Sequence, residues 1–555
     1  MISVTVNDGI ARISGAIPAL ALAAIAQCAG RKKWRGSLGV DIEATPANIT
    51  TLKESNFDFV FRDGDGTLAK IEAVRAPAPA DVAPKGARKA YKPKRPLYEY
   101  QMKELLKGWN RPAFGYLFEM GLGKSCVSIC NAAWLFLEKK ITAVLIIAPN
   151  GVHEQWADEQ IPAHLGDKIK RDVFVWRKKP LTFKKRAETL AFLCVNVESI
   201  RTDGGAKIVD AFIKEHGGNV LCIVDESHRI KTFGAQQTKA AIAIGNRCAF
   251  RRILTGTPLA KSPEDFFSQF FFLDPMILGH RYLSSFRARY CVMGGYQGRV
   301  VVGHKRLEEL QSLIAPHCSR LTKEEALDLP PKNYSVTEYQ PSDKTMRHFR
   351  EIKKEFMTQL SSGEIVSVAN AASGMIRLQQ IISGYYPGAN GIEDISNERT
   401  DVLLDVIEQR SGPVVIWARF TEDVKRIDNA LKKSYGERSC VTYNGDTAKK
   451  DRAENVRKFL SGSARFFVGN AAAGGTGLNL QGDCSTVIYY SNDFSALSRW
   501  QSEDRVHRIG MKHPVTYIDI VARGSLDRFV LANLRKKKEL SSLTLDDIRK
   551  ALTFC

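Results

Sequence analysis

Long apolar runs are missing from this sequence: nowhere do about 18 uncharged apolar residues follow one another, the length a bilayer-spanning helix needs. A helical membrane protein is therefore excluded, and a soluble chain is expected. The most apolar early stretch, Ile17 to Ala29, is short and alanine-rich and follows Asp8 and Arg12, which does not suit a secretory signal. It reads instead as a small helix closed by Gly30. Metal-ligand spacing is missing too: the eleven cysteines form no CxxC pair and the ten histidines no HExxH, so a zinc site is not expected. Reduced thiols in a cytosolic compartment follow. Asp63-Gly-Asp-Gly66 opens like a calcium loop, but Leu68 stands where the turn glycine belongs and Val74 where the last carboxylate belongs. A hairpin turn is the expectation there. Negative charge is in short supply: 60 Asp and Glu face 81 Lys and Arg, a net +21 that draws polyanions. Nucleic acid is the leading partner, with plain solubility or an anionic membrane surface as the alternatives.

A chain of 555 residues is too long for one core, and roughly three or four compact units are expected. Residues 1–75 read as a small α+β module, in which Ile2, Val4 and Val6 alternate before the hairpin signal Asn7-Asp8-Gly9. Residues 76–96 carry Pro77, Pro79, Pro84, Pro93 and Pro96 among alanines and basic side chains, the composition of an extended, solvated linker. Beyond it, short apolar runs alternate with helical patterns, as parallel α/β units do. The expected strands are Val144–Ala148, Phe192–Val197, Leu221–Val224 and Ile253–Thr255 in a first lobe, 97–275. In a second, 401–535, they are Val414–Ala418, Phe466–Val468, Val487–Tyr490 and Val515–Val521. Between the lobes, 276–400 reads as a helical bridge, and 536–555 as a basic tail.

The chemistry concentrates at the ends of these runs. Gly121-Leu-Gly-Lys-Ser125 places a glycine-rich turn before a helical pattern, where backbone N–H groups approach phosphates. Lys124 is suited to the β- and γ-phosphates of ATP and Ser125 to Mg²⁺. The strict pattern fails at Phe118, where its first glycine is expected. Leu221-Cys-Ile-Val-Asp225-Glu226 ends a buried strand in two carboxylates, at the sheet edge where α/β folds bind ligands. Asp225 can hold Mg²⁺, and Glu226 can polarise an attacking water. Arg505 and Arg508, three apart in Gln501-Ser-Glu-Asp-Arg-Val-His-Arg-Ile-Gly510, are expected on one helix face, with planar forks suited to charge on a transferring phosphoryl group.

These strings carry a family resemblance. Asp225-Glu-Ser-His-Arg-Ile-Lys231 resembles the DEAH box of superfamily-two helicases, and its Arg-Ile-Lys extension resembles the Swi/Snf branch, with Ser227 replacing the usual alanine. Glu119-Met-Gly-Leu-Gly-Lys-Ser125 is similar to that branch's first motif, with Phe118 for the usual aspartate and Ser125 for the usual threonine. In chain order, Tyr100-Gln101 resembles the upstream glutamine motif, Ile146 to Pro149 and on to Trp156 the DNA-backbone motif, and Leu254-Thr-Gly-Thr-Pro-Leu259 the third motif. Tyr443-Asn-Gly445, Gly474-Gly-Thr-Gly-Leu-Asn-Leu-Gln481 and Gln501 to Gly510 resemble the fourth to sixth. Arg320-Leu-Thr-Lys323 and Leu329-Pro-Pro-Lys332 resemble an element that RNA-directed DEAH relatives lack.

The resemblance, covering roughly 97–535, implies two RecA-like parallel-sheet lobes and a DNA-dependent ATPase that translocates on double-stranded DNA. It implies that Gln101 reads adenine, that Gly121, Gly123, Lys124, Ser125, Asp225, Gly475 and Gly477 bind ATP and Mg²⁺, and that Glu226, Arg505 and Arg508 are catalytic. Thr255, Thr257, Lys231, Pro149 and Asn479 would couple the nucleotide to the DNA. Forked or branched DNA is the expected substrate, by analogy with the annealing-helicase branch, in replication, repair or recombination and in a bacterial or phage-infected cytoplasm. A strand-separating helicase and a nucleotide-gated clamp without turnover are the rival readings.

Overall fold

The computed structural model describes residues 2–7, 10–14, 25, 33–34, 39–43, 49, 52, 59–63 and 91–535, the last span without 178, 257–262, 295–299, 328, 362–367, 389–390, 472–477, 509–510 and 512. The chain divides into two units, Met1–Ala326 and Leu327–Cys555.

The first unit opens with five strands, β1 (Ile2–Asn7), β2 (Ile10–Ser14), β3 (Lys33–Trp34), β4 (Gly39–Glu43) and β5 (Phe59–Asp63), in the order β3-β4-β2-β1-β5. The hairpin signal is realised: β1 and β2 run antiparallel with Asn7 opposite Ile10. Period-two alternation sends Val4, Val6, Ala11, Ile13, Val40 and Ile42 to one core with Ile25, Ile49 and Leu52, and Met276 of the following lobe packs against it. Trp34 is in register with Val40.

The lobe that follows holds β6 (Ala113–Phe118), β7 (Ala143–Ala148), β8 (Lys170–Val175), β9 (Thr189–Asn196), β10 (Val220–Val224) and β11 (Phe250–Leu254), then a ribbon β12 (Cys291–Gly294) with β13 (Val300–His304), and β14 (Cys318–Leu321). Its sheet runs β14-β6-β11-β10-β7-β9-β8 with every pairing parallel. Helices cover both faces of such a sheet, so its inner strands read as near-continuous apolar runs rather than alternating, with the buried Arg252 of β11 an exception that donates to the Asn131 side chain and the Gly108 carbonyl. β6, β7 and β10 are buried throughout.

The second unit holds β15 (Lys332–Tyr339), a ribbon of β16 (Tyr385–Gly388) and β17 (Gly391–Asp394), then β18 (Val414–Ala418), β19 (Cys440–Tyr443), β20 (Phe466–Asn470), β21 (Thr486–Tyr489) and β22 (Val515–Ala522). Its parallel sheet runs β15-β22-β21-β18-β20-β19. The two α/β lobes expected from the sequence are therefore present.

Two expectations need correction. The stretch 276–400 is not a helical bridge throughout: β14 joins the first sheet beside β6, and β15 joins the second beside β22 through an eight-residue ladder. Both are edge strands with solvent-facing positions, so their sequences lack the continuous apolar run of an inner strand. Helices Asp343–Ser361 and Val368–Ile382 do occupy the middle of the stretch. The linker's last residues, 91–96, are not simply solvated: Tyr91 is buried, its hydroxyl accepts from the Gly166 N–H at 3.3 Å, and Lys94 pairs with Asp167. The tail 536–555 lies outside the described residues.

One buried ion pair ties the second unit's helices to its sheet. Arg399, 2% exposed, donates to Asp527 at 2.5 Å and to the Ile520 carbonyl at 2.8 Å, and Asp527 also accepts from the Ala522 N–H. Removing one partner of a buried pair strands the other charge. Arg399→Ala should therefore destabilise this unit by about 3–5 kcal/mol, read as a lowered urea midpoint of its unfolding transition in the full chain. An unshifted midpoint would show that the pair contributes nothing net.

Candidate active site

The parallel register aligns the carboxyl ends of the first lobe's inner strands. Val224 is opposite Ile147 and Ile253, and Leu254 is opposite Tyr116. The residues that follow, Glu119, Pro149, Asp225 and Thr255, therefore emerge along one edge, where ligands bind in such sheets. Gly121 and Gly123 take left-handed φ values of 86° and 83°, which a side chain would strain, and Gly123 caps helix Lys124–Leu137. A second constraint holds at Gly123: any Cβ there would collide with the Gln101 amide. Gln101, buried on helix Glu99–Gly108, donates through Nε2 to the Leu122 carbonyl at 3.1 Å and accepts at Oε1 from the Tyr98 N–H at 3.0 Å. The glutamine thus braces the phosphate loop from behind.

Lys124 donates to the Phe118 carbonyl at 3.0 Å and lies beside Gly256 of the third motif. Ser125 follows it in the helix's first turn. Asp225 is 8% exposed; burial, then the neighbouring Glu226, raise its pKa to about 6, while the Trp156 indole and Lys124 pull the other way. The Trp156 Nε1–H donates to Asp225 Oδ2 at 2.7 Å, and Asp225 Oδ1 accepts from the Glu226 N–H at 2.9 Å. Trp156 starts a π-helical turn, Trp156–Gln160, of the sort that marks functional sites. Glu226 is held at φ 49° and ψ 54°, a strained backbone for a non-glycine residue, with its carboxylate 3.2 Å from His228 Nδ1.

Two of the three departures from the family pattern are accommodated by packing. Phe118 is the last residue of β6, fully buried and stacked in register opposite Leu321. Ser227, also fully buried, donates to Gln269 at 2.6 Å.

The coupling candidates are more dispersed. Thr255 is buried at the end of β11, and the Pro149 carbonyl starts the next helix by accepting from Val152 and His153. Lys231 pairs loosely with Asp265 at 3.8 Å. Asn479 is exposed. Thr257, Gly475 and Gly477 lie outside the described residues.

In the second unit, the expected arrangement of arginines is corrected. Helix Ala496–Glu503 ends before them, and Arg505 and Arg508 lie in the turns beyond. The helix stops because its exit is held by other groups: Leu480 N–H bonds the Arg505 carbonyl at 3.0 Å, and His507 Nε2 bonds the Pro330 carbonyl at 2.8 Å. The two arginines also differ. Arg505 is 7% exposed and donates to the Leu478 carbonyl at 3.2 Å, tying the sixth motif to the fifth. Arg508 is half-buried; burial lowers its pKa, and Asp504 opposes that shift.

The sequence reasoning missed three supporting contacts: Trp156 on Asp225, Gln269 on Ser227, and Lys332 on the residues before Arg505. Two had a signal, Trp156 in the backbone motif and Lys332 in the branch-specific Leu329-Pro-Pro-Lys332, while Gln269 had none.

A glycine loop at a helix N-terminus, facing a buried acid and a strained glutamate on the same sheet edge, defines a P-loop type of nucleoside triphosphate site. The comparisons agree: residues 109–385 match the SNF2-related domain, and residues 398–510 match the helicase conserved C-terminal domain. The chain belongs to the Swi/Snf-type ATPases of helicase superfamily two. It is 24% identical over 461 residues to the protein CHROMATIN REMODELING 4 of Arabidopsis thaliana, covering 77% of this chain and 20% of that one. It is 24% identical over 458 residues to the chromodomain-helicase-DNA-binding protein 1-like of Danio rerio, covering 78% and 42%. The chain thus spans less than half the length of either relative. Among solved structures it is similar to the Sulfolobus solfataricus SWI2/SNF2 ATPase core in complex with dsDNA, at 22% identity, 83% of this chain, 98% of that one and a TM-score of 0.38.

Gly123→Ala should weaken ATP binding by roughly tenfold or more, because left-handed backbone and the Gln101 contact both resist a methyl group. Fluorescent-nucleotide titration reads it, and parental affinity would contradict the bracing role. Ser227→Ala, which only leaves the Gln269 oxygen without a donor, should cost about 1–3 kcal/mol of stability and leave ATP affinity unchanged.

Proposed function

We propose that this protein hydrolyses ATP when bound to double-stranded DNA and uses the cycle to move along the duplex, acting as a remodelling motor in replication, repair or recombination. The observation that carries the reading is the first lobe's edge, where Lys124, Ser125, Asp225 and the strained Glu226 converge. The residues fit their ligands: a helix N-terminus with left-handed glycines suits phosphates, and a buried carboxylate beside a hydroxyl-bearing P-loop suits a divalent cation. Mg²⁺, held by Ser125 and Asp225, would supply charge neutralisation at the transferring phosphoryl group. Glu226 is the group assigned to orient the attacking water, and Arg508 and Arg505 are assigned to the phosphoryl charge. Gly475, Gly477 and Asn479 belong to the proposed nucleotide and backbone contacts of the second lobe, and Thr255, Thr257, Lys231 and Pro149 to those of the first.

Duplex DNA is proposed as the track for three reasons. A net charge of +21 favours a polyanion, the Arg229-Ile-Lys231 and Leu329-Pro-Pro-Lys332 elements are those of the Swi/Snf branch, and relatives are named for chromatin remodelling and as DNA helicases. Phosphate contacts carry no sequence information, so movement should be independent of sequence. Forked or branched DNA is the preferred form we propose, on the small five-stranded module that precedes the motor and by analogy with the annealing-helicase branch. The described cysteines are all free thiols, which supports a reducing cytoplasmic setting.

Glu226→Gln should keep ATP and DNA binding while lowering turnover by about 10²-fold or more, since shape is preserved and the water loses its carboxylate. Near-parental hydrolysis would remove Glu226 from the mechanism. Duplex DNA should stimulate the parental ATPase more than RNA does, with stimulation falling as salt rises, and ATP should drive displacement of a third strand without unwinding a blunt duplex. Blunt-duplex unwinding without triplex displacement would favour the helicase reading, and DNA binding without turnover would favour the clamp.

A further inference from the structure

The Leu329-Pro-Pro-Lys332 element meets the sixth motif directly. Lys332, the first residue of β15, lies 3.0 Å from Glu503 Oε2 and 3.6 Å from Asp504 Oδ1, with its ammonium over the Tyr517 ring. Glu503 has further partners: it accepts from Arg499 at 2.9 Å and from the Tyr334 hydroxyl at 2.8 Å, and Arg499 is itself paired with Asp519. Losing Lys332 would leave Glu503 with those two donors. Asp504 also acts electrostatically on Arg508, four residues on. Burial works against the Lys332 charge, but Glu503 and Asp504 hold its pKa above the ordinary lysine value, so it is a fixed cation at any working pH.

We propose that Lys332 is a positioning residue that engages the Asp504 carboxylate and so keeps the Arg508 guanidinium available for phosphate. Lys332 does this from the neighbouring edge strand while the Pro330 carbonyl holds His507 on the far side of Arg505. Together the two contacts grip the turn that carries both arginines. Removing the lysine turns Asp504 toward Arg508 as an internal counter-ion. The effect is on charge at the transition state, not on ground-state nucleotide binding. The inference rests on the proposed ATPase reading, in which Arg508 serves the phosphoryl group.

The test is a cycle in the full chain. Lys332→Gln keeps a long side chain that can still donate to Glu503 but removes the charge. It should lower the DNA-stimulated kcat by about tenfold or more with little change in KM for ATP, the pattern of an interaction made only in the transition state. It should weaken binding of ADP with aluminium fluoride while leaving ADP affinity unchanged. Lys332→Arg should retain activity. The deciding variant is the double change Lys332→Gln with Asp504→Asn, which removes the competing carboxylate and should recover most of the lost kcat. A merely structural lysine predicts no recovery, so a folded but inactive double variant overturns the proposal, as does a parental kcat in Lys332→Gln. Should Lys332→Gln lower the melting midpoint, Lys332→Met is put through the same cycle, and the same recovery is required. Arg508→Ala separates the two levels: parental hydrolysis in that variant defeats the ATPase assignment of Arg508 itself, whereas loss there with no recovery in the double variant defeats only the role of Lys332.

Discussion

Two adjacent carboxylates at the end of one buried strand set the terms for the first lobe. A carboxylate taken out of water is costly unless hydrogen bonds or cations replace its hydration. Asp225 receives the indole N–H of Trp156 and the backbone N–H of Glu226, and it lies in the field of Lys124. Each partner comes from a different strand end, after β7, β10 and β6, so they meet only if all three strands stay in register. The register in turn is held by strands buried on both faces, as the runs of β6, β7 and β10 are. Glu226 bears the consequence in its backbone. Turning directly off the strand end, it occupies a left-handed conformation that bulky residues avoid, and it persists because Ser227 is anchored to Gln269 behind it.

That arrangement explains why the position of the candidate site at the first sheet's carboxyl edge was legible in the amino-acid sequence while parts of the fold were not. Inner strands announce themselves as continuous apolar runs, and Val144–Ala148 and Leu221–Val224 match β7 and β10 to within a residue. Edge strands announce nothing of the kind. β15 reads Lys-Asn-Tyr-Ser-Val-Thr-Glu-Tyr and exposes Tyr334 and Val336, because one side of it faces solvent. The helix end at Glu503 was equally hidden. The spacing of Arg505 and Arg508 fits a continuing helix, and what ends it is a contact with Pro330, far away in sequence. Periodicity reports local preference, and a tertiary contact overrides it. Trp156 shows the same limit from the other side: its place near the backbone motif was visible, but its bond to an aspartate 69 positions on belongs to the folded sheet alone.

Two of the departures from the family pattern, Phe118 and Ser227, are instructive because they fall where packing, not chemistry, is served. Phe118 closes an aromatic column with Phe114 and Tyr116 along β6, and what Lys124 uses at that position is the backbone carbonyl, which any residue supplies. Ser227 exchanges a methyl group for a buried hydroxyl, which would be destabilising without a partner. Gln269 supplies one. In both places the groups assigned to phosphate, metal and water are untouched, so substitution there repacks the frame around the site and leaves its chemistry in place.

The second lobe solves a different electrostatic problem. In the proposed reading its sixth motif presents guanidinium groups to an anion that is not part of the fold, while the same segment carries carboxylates that would neutralise them. Glu503 and Asp504 immediately precede Arg505, and an acid so close along the chain is a ready counter-ion for an arginine. The fold answers with dedicated cations: Arg499 binds Glu503 and Asp519, and Lys332 reaches Glu503 and Asp504 from the neighbouring strand. Arg505 donates to the Leu478 carbonyl, which fixes the loop leading to Asn479, whereas Arg508 lies in the field of Asp504. A division of labour follows. Beyond the phosphoryl charge proposed for both, Arg505 holds the fifth and sixth motifs together, and on our proposal Arg508 keeps its charge for the ligand because Lys332, outside the motif, engages the acid beside it.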